Sequence, residues 1–317
     1  MPIELQKKLK NQGYHILGER GGYKACQWQK KSLLHDQTCY KQKFYGIESH
    51  RCLQMTPLVD KCTQSCEFCW RITPDDVGVR WDQTTVDANC VLHPMELLNQ
   101  TLMANLRTLG GYNPEAGALV SSEKYLEARE PKHVAISLAG EPMLYPYLSE
   151  FIEEIQNRGM TSFLVTNGTL PDVLESLFLP TQLYITLAAP DRETHSRLLK
   201  PGVKDAWDKL MHSQELLSSL SCRTVNRLTM VAEQNMHDAR LYAKQILIGE
   251  PDFIEVKGYM HLGASRGRLG KQNSPSHQEI RVFSERLAAL TGYFVIDEQV
   301  ESRVVLLARR RHIKKLQ

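Results

Sequence analysis

The chain has 317 residues, of which 42% are hydrophobic and 24% are charged, and its formal net charge is +3. This composition is typical of a globular protein that buries a substantial core, and it excludes a disordered or fibrous chain. The N-terminus does not resemble a signal peptide and no apolar run approaches the roughly 20 residues of a membrane span, so we expect a cytoplasmic protein.

Basic residues are concentrated at both ends of the chain. Residues 1–43 contain nine Lys or Arg and three acidic residues, whereas residues 302–317 contain six basic residues and no acidic one. The two ends together carry +12, so the middle of the chain carries −9. This asymmetry predicts a polyanion bound where the termini meet, although basic ends are also common as solvated tails. The candidate phosphate-binding residues of the C-terminal tail are Arg309, Arg310, Arg311, Lys314 and Lys315.

Strand-like and helix-like segments alternate from about residue 53 onward. Their alternation predicts an α/β protein with a parallel sheet in an open or partial barrel, whose active site lies at the carboxyl ends of the strands. The predicted strands are Leu53–Val59, His133–Leu138, Thr161–Thr166, Leu183–Leu187, Thr224–Val231, Phe253–Tyr259, Tyr293–Ile296 and Arg303–Leu307. The predicted helices between them are Leu148–Arg158, Trp207–Leu220 and Gln278–Leu290.

Three parts of the chain are expected. Residues 1–52 form a basic segment that bears cysteines, residues 53–270 form the barrel, and residues 271–317 form an extension with two strands and the basic tail. Residues 71–131 interrupt the alternation and contain a helix that begins near Pro94 and a more polar helix at Ser121–Arg129. This insertion is either a lid or substrate platform, or a decoration without a role in the site.

Six of the eight cysteines lie within 44 residues. A cytoplasmic chain is not expected to form disulfides, so clustered thiols indicate a bound metal. Cys90 and Cys222 stand alone, and we interpret both as small packing or surface thiols.

The loop after the first predicted strand carries Cys62, Cys66 and Cys69 in the spacing C-x3-C-x2-C. Three thiolates at this spacing hold three corners of a [4Fe–4S] cluster and leave the fourth iron open to a small molecule. The alternative is a structural zinc site, which needs four closed ligands and here requires Cys52 as the fourth.

This loop, with Phe68 just before the third cysteine, resembles the signature of the radical S-adenosylmethionine (SAM) superfamily. The resemblance implies a partial (β/α)6 barrel, similar to a TIM barrel, in which the open iron binds the amino and carboxylate groups of SAM. It also implies that one electron cleaves the sulfonium of SAM and releases a 5′-deoxyadenosyl radical. Phe68 is then expected beside the adenine of the cofactor.

Two further motifs follow in the order that this superfamily uses. Gly140, Glu141 and Pro142 end the second predicted barrel strand and resemble the motif that receives the SAM amino group, for which a carboxylate is a suitable acceptor. Thr166 and Asn167 end the third strand and resemble the turn that contacts the ribose. Each motif alone is a weak signal, because strand ends often use Gly and Asn for conformational reasons. Ala188 departs from the pattern, since relatives often have an acid there.

Cys26, Cys39 and Cys52 are separated by twelve residues each and are suited to ligate a second [4Fe–4S] cluster with one open iron. The segments around them narrow the resemblance to the tRNA 4-demethylwyosine synthase family of the wybutosine pathway, across nearly the whole chain. The residues that carry it are Cys39–Ile47, Ser49–Pro57, Cys62–Arg71 and Gly258–Arg266.

This family resemblance implies a lyase that condenses N1-methylguanosine, next to the anticodon of phenylalanine tRNA, with pyruvate. Lys41 matches the lysine proposed to form a Schiff base with pyruvate, and either Lys43 or partial burial is expected to lower its pKa. The alternative role for Lys41 is a phosphate contact. A monomer served by an external flavodoxin-like or ferredoxin-like electron donor is expected.

Two rival functions remain open on the sequence. One is another radical SAM activity, such as an activase or a methyltransferase, and the other is a zinc-stabilised RNA-binding protein without catalytic activity. A base that undergoes chemistry must leave its stack, so aromatic and arginine partners are expected around it. The sequence offers Trp70, Tyr45 and Arg71 for that role.

Overall fold

The computed structural model describes residues 1–78 and 86–316 and contains one ten-stranded mixed sheet. Its strands are β1 (His15–Leu17), β2 (Gly21–Tyr23), β3 (Cys52–Thr56), β4 (His133–Ile136), β5 (Thr161–Thr166), β6 (Gln182–Thr186), β7 (Arg223–Met230), β8 (Phe253–Gly258), β9 (Phe294–Gln299) and β10 (Val304–Ala308). The six strands β3 to β8 are parallel and follow chain order, while β1, β2, β10 and β9 pair antiparallel at the two edges. The predicted α/β partial barrel is confirmed.

Eleven α-helices occur in the described residues. They are α1 (Ile3–Asn11), α2 (Gln27–His35), α3 (Tyr40–Tyr45), α4 (Pro94–Leu109), α5 (Ser122–Arg129), α6 (Leu148–Asn157), α7 (Pro171–Glu175), α8 (Arg192–Leu199), α9 (Ala206–Leu216), α10 (Ala239–Gly249) and α11 (His277–Thr291). None of the helices in these residues is long and apolar enough to cross a bilayer.

Alternate residues of the parallel strands face two different cores. Leu53 and Met55 of β3 point to the outer helices and join the main hydrophobic core. Cys52, on the other face of β3, packs with the interior cluster that includes Phe163 and Tyr184. This period of two is the ordinary geometry of a strand buried on both faces.

The short helix α3 fills the interior of the barrel near the amino ends of the strands. Its residues Tyr40, Phe44 and Tyr45 are buried in the interior cluster. Left-handed Gly46 ends the helix at φ 86°, a conformation that glycine adopts without steric cost. The N-terminal segment is therefore part of the barrel interior.

Helix α4, in the long segment after the cysteine loop, packs against the barrel. Leu97 and Leu98 are almost fully buried in the main core with the residues of β3. Because α4 connects the parallel strands β3 and β4, it is the first crossover helix of the barrel. Within the 71–131 insertion, α4 is therefore part of the barrel wall.

The two termini lie at opposite ends of the barrel. Leu5 and Leu9 of α1 pack against Val59 and Leu138, which follow the carboxyl ends of β3 and β4. At the other end, Ala308 pairs with the first residue of β8, and the Leu316 amide donates to the Tyr45 carbonyl at 2.7 Å. Helix α1 and the basic tail therefore lie apart, because β10 returns the chain to the amino ends of the parallel strands. Lys41 and Lys43 of the basic N-terminal segment lie on α3, which packs beside that tail.

Candidate active site

The cysteine loop is fixed at the carboxyl ends of the strands by backbone hydrogen bonds. The Ser65 and Glu67 amides donate to the carbonyls of Leu199 and Leu198 at 3.1 and 2.9 Å. The Cys69 amide donates to the Cys66 carbonyl at 3.0 Å, which closes a tight turn between two of the thiols. The loop therefore lies where the strand rule predicted the active site.

Cys62, Cys66 and Cys69, called here the first triad, have thiols that affect one another. Burial is the largest cause that raises the pKa of each of the three thiols. The Cys69 thiol adds to this effect at Cys62 and Cys66, so the three sulfur atoms converge. All three line a cavity of about 200 Å³ together with residues 137–140. Three converging thiols beside a cavity are the donor set that a cubane cluster with one open iron requires.

Gly140 lets the loop after β4 pass directly beneath the first triad. Its φ of 70° lies in the left-handed region, and a Cβ there would stand 2.1 Å from the Leu58 carbonyl oxygen and 2.5 Å from that of Lys61. No side chain fits at this distance, so the glycine is required by the close approach of the two loops.

Glu141 is an internal carboxylate, although the sequence predicted one that faces a ligand. It is 1% exposed. Its Oε1 accepts hydrogen bonds from the Thr166 hydroxyl at 2.8 Å and the Met143 amide at 3.0 Å, and its Oε2 accepts one from the Asn167 amide at 2.8 Å. Burial raises the pKa of Glu141 to about 7, while these hydrogen bonds lower it. Glu141 therefore joins the loops after β4 and β5.

Asn167 connects this arrangement to the first triad. Its side-chain amide donates to the Thr63 hydroxyl at 2.8 Å, and it lies 3.9 Å from the Cys62 sulfur. Hydrogen bonds of this kind orient ligand side chains and tune the metal that they hold. The two motifs that the sequence singled out, Gly140–Pro142 and Thr166–Asn167, thus meet around one cysteine.

Phe68 faces the carboxyl ends of the later strands. It packs against a buried cluster that includes Ala188, Ala189 and Tyr259. Ala188 is fully buried, and its carbonyl accepts a hydrogen bond from Asn235 at 2.8 Å. Ala188, where relatives often have an acid, is therefore a packing residue beside Phe68.

Arg268 is a positioning residue that the sequence analysis missed. Its Nε donates to the Glu67 carbonyl at 3.2 Å, and its guanidinium also contacts the Cys69 carbonyl. Asp76 holds the same guanidinium through two bonds at 2.6 and 2.8 Å. Gly263, five residues before Arg268, passes so close to Trp70 that a Cβ on Gly263 would stand 2.2 Å from the Trp70 carbonyl oxygen. The Gly258–Arg266 segment therefore docks Arg268 onto the cysteine loop.

We expect Arg268→Met to loosen the first triad while leaving its three thiols in place. Contacts that hold the ligand residues of a metal in place are worth roughly 10-fold to 100-fold in metal affinity, so a chelator should remove iron from the reconstituted variant faster by about that factor. The decay of cluster absorbance measures this rate. Arg240→Met on the surface helix α10 is the matched control, because Arg240 pairs only with its neighbour Asp238. A wild-type rate in Arg268→Met would contradict the positioning role.

Cys26, Cys39 and Cys52, called here the second triad, come together at the amino end of β3. Strand β2 pairs with β3 so that Gly22 faces Thr56 and Tyr23 faces Met55, and this register places Cys26 opposite Cys52. Burial, followed by the Cys26 thiol, raises the pKa of Cys39 to about 12. Burial also raises the pKa of Cys52 to about 12, with contributions from Cys26 and Cys39.

The spacing along β3 excludes the zinc alternative. Cys52 begins this strand of five residues and the Cys62 loop follows its other end. A strand rises about 3.3 Å per residue, so the two ends are separated by roughly 13 Å. Cys52 is the partner of Cys26 and Cys39 and lies out of reach of the first triad, whereas zinc ligands stand about 2.3 Å from the metal.

Lys41 points into the barrel beside the second triad. The group of interior side chains around it, called here the lysine chamber, consists of Phe163, Tyr184, Arg227, Glu255 and Lys257. The Lys41 ammonium lies 4.5 Å from the Tyr184 ring centroid and 5.2 Å from that of Phe163. Burial, followed by Arg227, lowers the pKa of Lys41. Lys43 instead points outward and forms an ion pair with Asp297 at 2.7 Å.

A buried ion pair forms one wall of the lysine chamber. Arg227 donates to Glu255 at 2.9 Å through Nε, and the hydroxyls of Tyr45 and Tyr40 donate to the same carboxylate at 2.8 and 3.2 Å. Tyr45 is fully buried in this network, so it cannot stack on a base as the sequence analysis expected.

Trp70 and Arg71 remain at the first triad. The Trp70 side chain is half-exposed, and the Arg71 guanidinium stacks on its ring at 3.3 Å from the centroid. Burial lowers the pKa of Arg71, while Tyr14 and then the thiols of Cys69 and Cys26 raise it. Arg71 therefore lies between the two triads and makes electrostatic contact with both.

Comparisons with known proteins agree with this geometry. A family model described as the radical SAM superfamily matches residues 56–246, and one described as wyosine base formation matches residues 248–309. The SAM-dependent tRNA 4-demethylwyosine synthase of Pyrococcus abyssi is 47% identical over 98% of this chain and 90% of its own length. The enzyme of the same name from Methanocaldococcus jannaschii is 41% identical over 97% of this chain and 96% of its own length.

Two solved structures are similar along their whole length. TYW1 with a lysine–pyruvate adduct bound has a TM-score of 0.87 and 38% identity, covering 98% of this chain and 96% of that one. The crystal structure of archaeal TYW1 has a TM-score of 0.80 and 34% identity, covering 100% and 98%. The chain therefore belongs to the radical SAM superfamily and, within it, to the tRNA 4-demethylwyosine synthase family.

Proposed function

We propose that this chain converts N1-methylguanosine next to the anticodon of phenylalanine tRNA into 4-demethylwyosine, with pyruvate as the second substrate. The observation that carries this proposal is the placement of two cysteine triads at the two ends of β3, with Lys41 buried beside the second. A single radical SAM site would need only the first triad.

The first triad fits a [4Fe–4S] cluster, and the cavity beside it fits a small ligand on the open iron. When bound, this cluster and SAM would supply a one-electron cleavage of the SAM sulfonium, and the radical that results would take a hydrogen atom from the substrate. The residues of the chain hold the site: Asn167 orients Cys62, Arg268 fixes the loop, and Gly140 admits the loop after β4.

We also assign a second [4Fe–4S] cluster to the second triad. Burial raises the pKa of Cys39 and Cys52 to about 12, so the free thiols would stay protonated in a chamber that also contains cations. The iron ions of a cluster carry the positive charge that stabilises three neighbouring thiolates. The side chains around the second triad do not supply enough positive charge for this.

Lys41 is the residue that we assign to pyruvate. Its amine attacks the ketone carbon, a C=N bond forms, and the carbonyl oxygen leaves as water. Burial and the adjacent Arg227 favour the neutral amine that this attack needs. The lysine–pyruvate adduct in the similar TYW1 structure supports this role. Lys43 is less suited to this role, because it points outward and pairs with Asp297.

The test is anaerobic turnover with methylated tRNA, SAM, pyruvate and dithionite, followed by mass spectrometry of the nucleosides. We expect 4-demethylwyosine with tRNA that carries N1-methylguanosine and no product with unmethylated tRNA. Transfer of a methyl group from SAM, or no modified nucleoside with both clusters present, would favour a different radical SAM activity.

The placement of the termini predicts which basic residues contact the tRNA. Lys7, Lys8 and Lys10 are exposed on α1 next to the first triad, whereas the basic tail lies at the far end of the barrel. Replacing these three lysines by alanine should reduce the salt slope of log Kd by roughly 2 to 3, because each lost phosphate contact removes about 0.7 to 0.9 of a unit.

The matched control replaces Arg309, Arg310 and Arg311 by alanine, and we expect it to leave the salt slope unchanged. Arg309 contacts Glu250, and Arg311 stacks on Phe294, so both are engaged within the protein. Filter binding of methylated tRNA at several salt concentrations measures both slopes. If the salt slope fell in the arginine variant and not in the lysine variant, the basic tail would be assigned to the tRNA interface instead of α1.

A further inference from the structure

The lysine chamber contains more positive than negative charge. Its wall carries Lys41, Arg227 and Lys257, and Glu255 is the negative charge that acts on all three. Glu255 is already engaged, because it accepts hydrogen bonds from Arg227 and from two tyrosine hydroxyls. Arg303 adds a further positive charge near Lys257 and is held by Ser274 and Pro275.

Lys257, like Lys41, makes no ion pair with a carboxylate in the described residues, whereas Arg227 pairs with Glu255. In residues 1–78 and 86–316, no Asp or Glu lies within ion-pair distance of the Lys257 ammonium group. The ammonium donates one hydrogen bond, to the Ser302 carbonyl at 2.8 Å. The Lys257 ammonium stands 5.2 Å from the ring centroid of Tyr40, which is the residue before Lys41 in the chain. An ammonium has three protons, so it retains the capacity to bind an anion.

Several contacts place Lys257 in the same chamber as Lys41. The Lys41 ammonium and the Arg227 guanidinium lie 4.5 and 4.4 Å from the same Tyr184 ring centroid. Arg227 in turn lies 3.0 Å from the Tyr40 hydroxyl. Lys41 and Lys257 both act on the thiol of Cys39, where they oppose the effect of burial on its pKa.

We infer that Lys257 binds the carboxylate of the 2-oxo acid whose ketone carbon is attacked by Lys41. This inference rests on the function proposed above. A 2-oxo acid carries its carboxylate on the carbon next to the ketone, so one amine and one ammonium in the same chamber match its two functional groups. Arg227 is less suited, because Glu255 occupies the edge of its guanidinium that would bind a carboxylate in two-point fashion.

Formation of the adduct with Lys41 leaves the bound carboxylate unchanged. Lys41 forms the C=N bond, water carries away the carbonyl oxygen, and the carboxylate stays paired with Lys257 as an anion. Lys257 thereby selects 2-oxo acids against neutral ketones of the same size, because a neutral ketone would leave the ammonium without a partner in the chamber.

The test compares pyruvate with acetone, which replaces the carboxylate by a methyl group. The reconstituted chain is incubated with each compound, reduced with borohydride, and analysed by peptide mass spectrometry for the modification of Lys41. In the wild type we expect half-maximal labelling at a pyruvate concentration at least about 10-fold below that of acetone, because hydrogen bonds to charged groups contribute strongly. Equal labelling by the two compounds in the wild type would overturn the inference.

The variant Lys257→Met should raise the pyruvate concentration for half-maximal labelling by about 10-fold to 100-fold and leave acetone labelling unchanged. Lys257→Arg should restore part of the preference, and Lys244→Met on the exposed face of α10 should behave as wild type. Loss of both labels in Lys257→Met would show a structural role, and a wild-type preference would show no role. Absence of a pyruvate adduct in the wild type would instead refute the proposed function.

Discussion

Replacing Cys66 with alanine is expected to abolish SAM cleavage and to remove about half of the iron that the reconstituted chain binds. The three thiols of the first triad converge on one cavity, and a cluster held by two of them would lose a corner and its defined open iron. The rest of the fold should remain, because the loop is held by backbone hydrogen bonds to α8. Iron content and 5′-deoxyadenosine formation in the presence of dithionite measure the two effects.

A parallel variant of the second triad separates the two cysteine sets. Cys39→Ala should also lose about half of the iron, yet it should still cleave SAM, because the first triad is intact. Cys222→Ala is the matched control for a thiol outside both sets, and it should keep all of the iron. The assignment is refuted if Cys66→Ala cleaves SAM at the wild-type rate, or if Cys39→Ala retains the full iron content.

Lys41→Arg is expected to eliminate the borohydride-trapped pyruvate adduct and to lower product formation by about 100-fold or more. The guanidinium keeps the positive charge but is not a nucleophile, since arginine stays protonated in proteins. The variant therefore tests covalent chemistry separately from charge. Whole-protein mass spectrometry after reduction measures the adduct, and nucleoside mass spectrometry measures the product.

Lys43→Arg is the control for this substitution, because it makes the same change two residues away on the outward face of α3. It should retain both the adduct and the product. SAM cleavage should persist in Lys41→Arg, since the first triad lies at the other end of β3. A full adduct in Lys41→Arg would assign the reaction with pyruvate to a different amine.

The parallel strands were predicted within a few residues because they are rich in apolar and β-branched residues and several are followed closely by Gly, Asn or Pro. The first hairpin was missed because β1 and β2 have three residues each, which is too short for a period of two to appear. Helix α4 was correctly predicted to begin at Pro94. Its role as a crossover helix depends on which strand pairs with β3, and that is a tertiary property.

Both triads were predicted from spacing and family resemblance, and the structure brings each set together. Sequence patterns do not show that Glu141 is internal, because two of its three hydrogen-bond donors, Thr166 and Asn167, lie about 25 positions later in the chain. Arg268 was missed for the same reason, since its partners Glu67 and Cys69 are about 200 residues earlier. Charge patterning did not show at which end of the barrel the basic tail lies, because that depends on how β10 pairs with β8.

The five-residue strand β3 has a fixed length if both triads are to work. Inserting one residue would lengthen the interval between Cys52 and Cys62 by about 3.3 Å and turn the following side chains to the opposite face of the sheet. Leu53 and Met55 would then leave the main core, or Cys52 would leave the interior. Natural variation in chain length should therefore fall in the loops and spare this strand, and an engineered enzyme of this family must keep it unchanged.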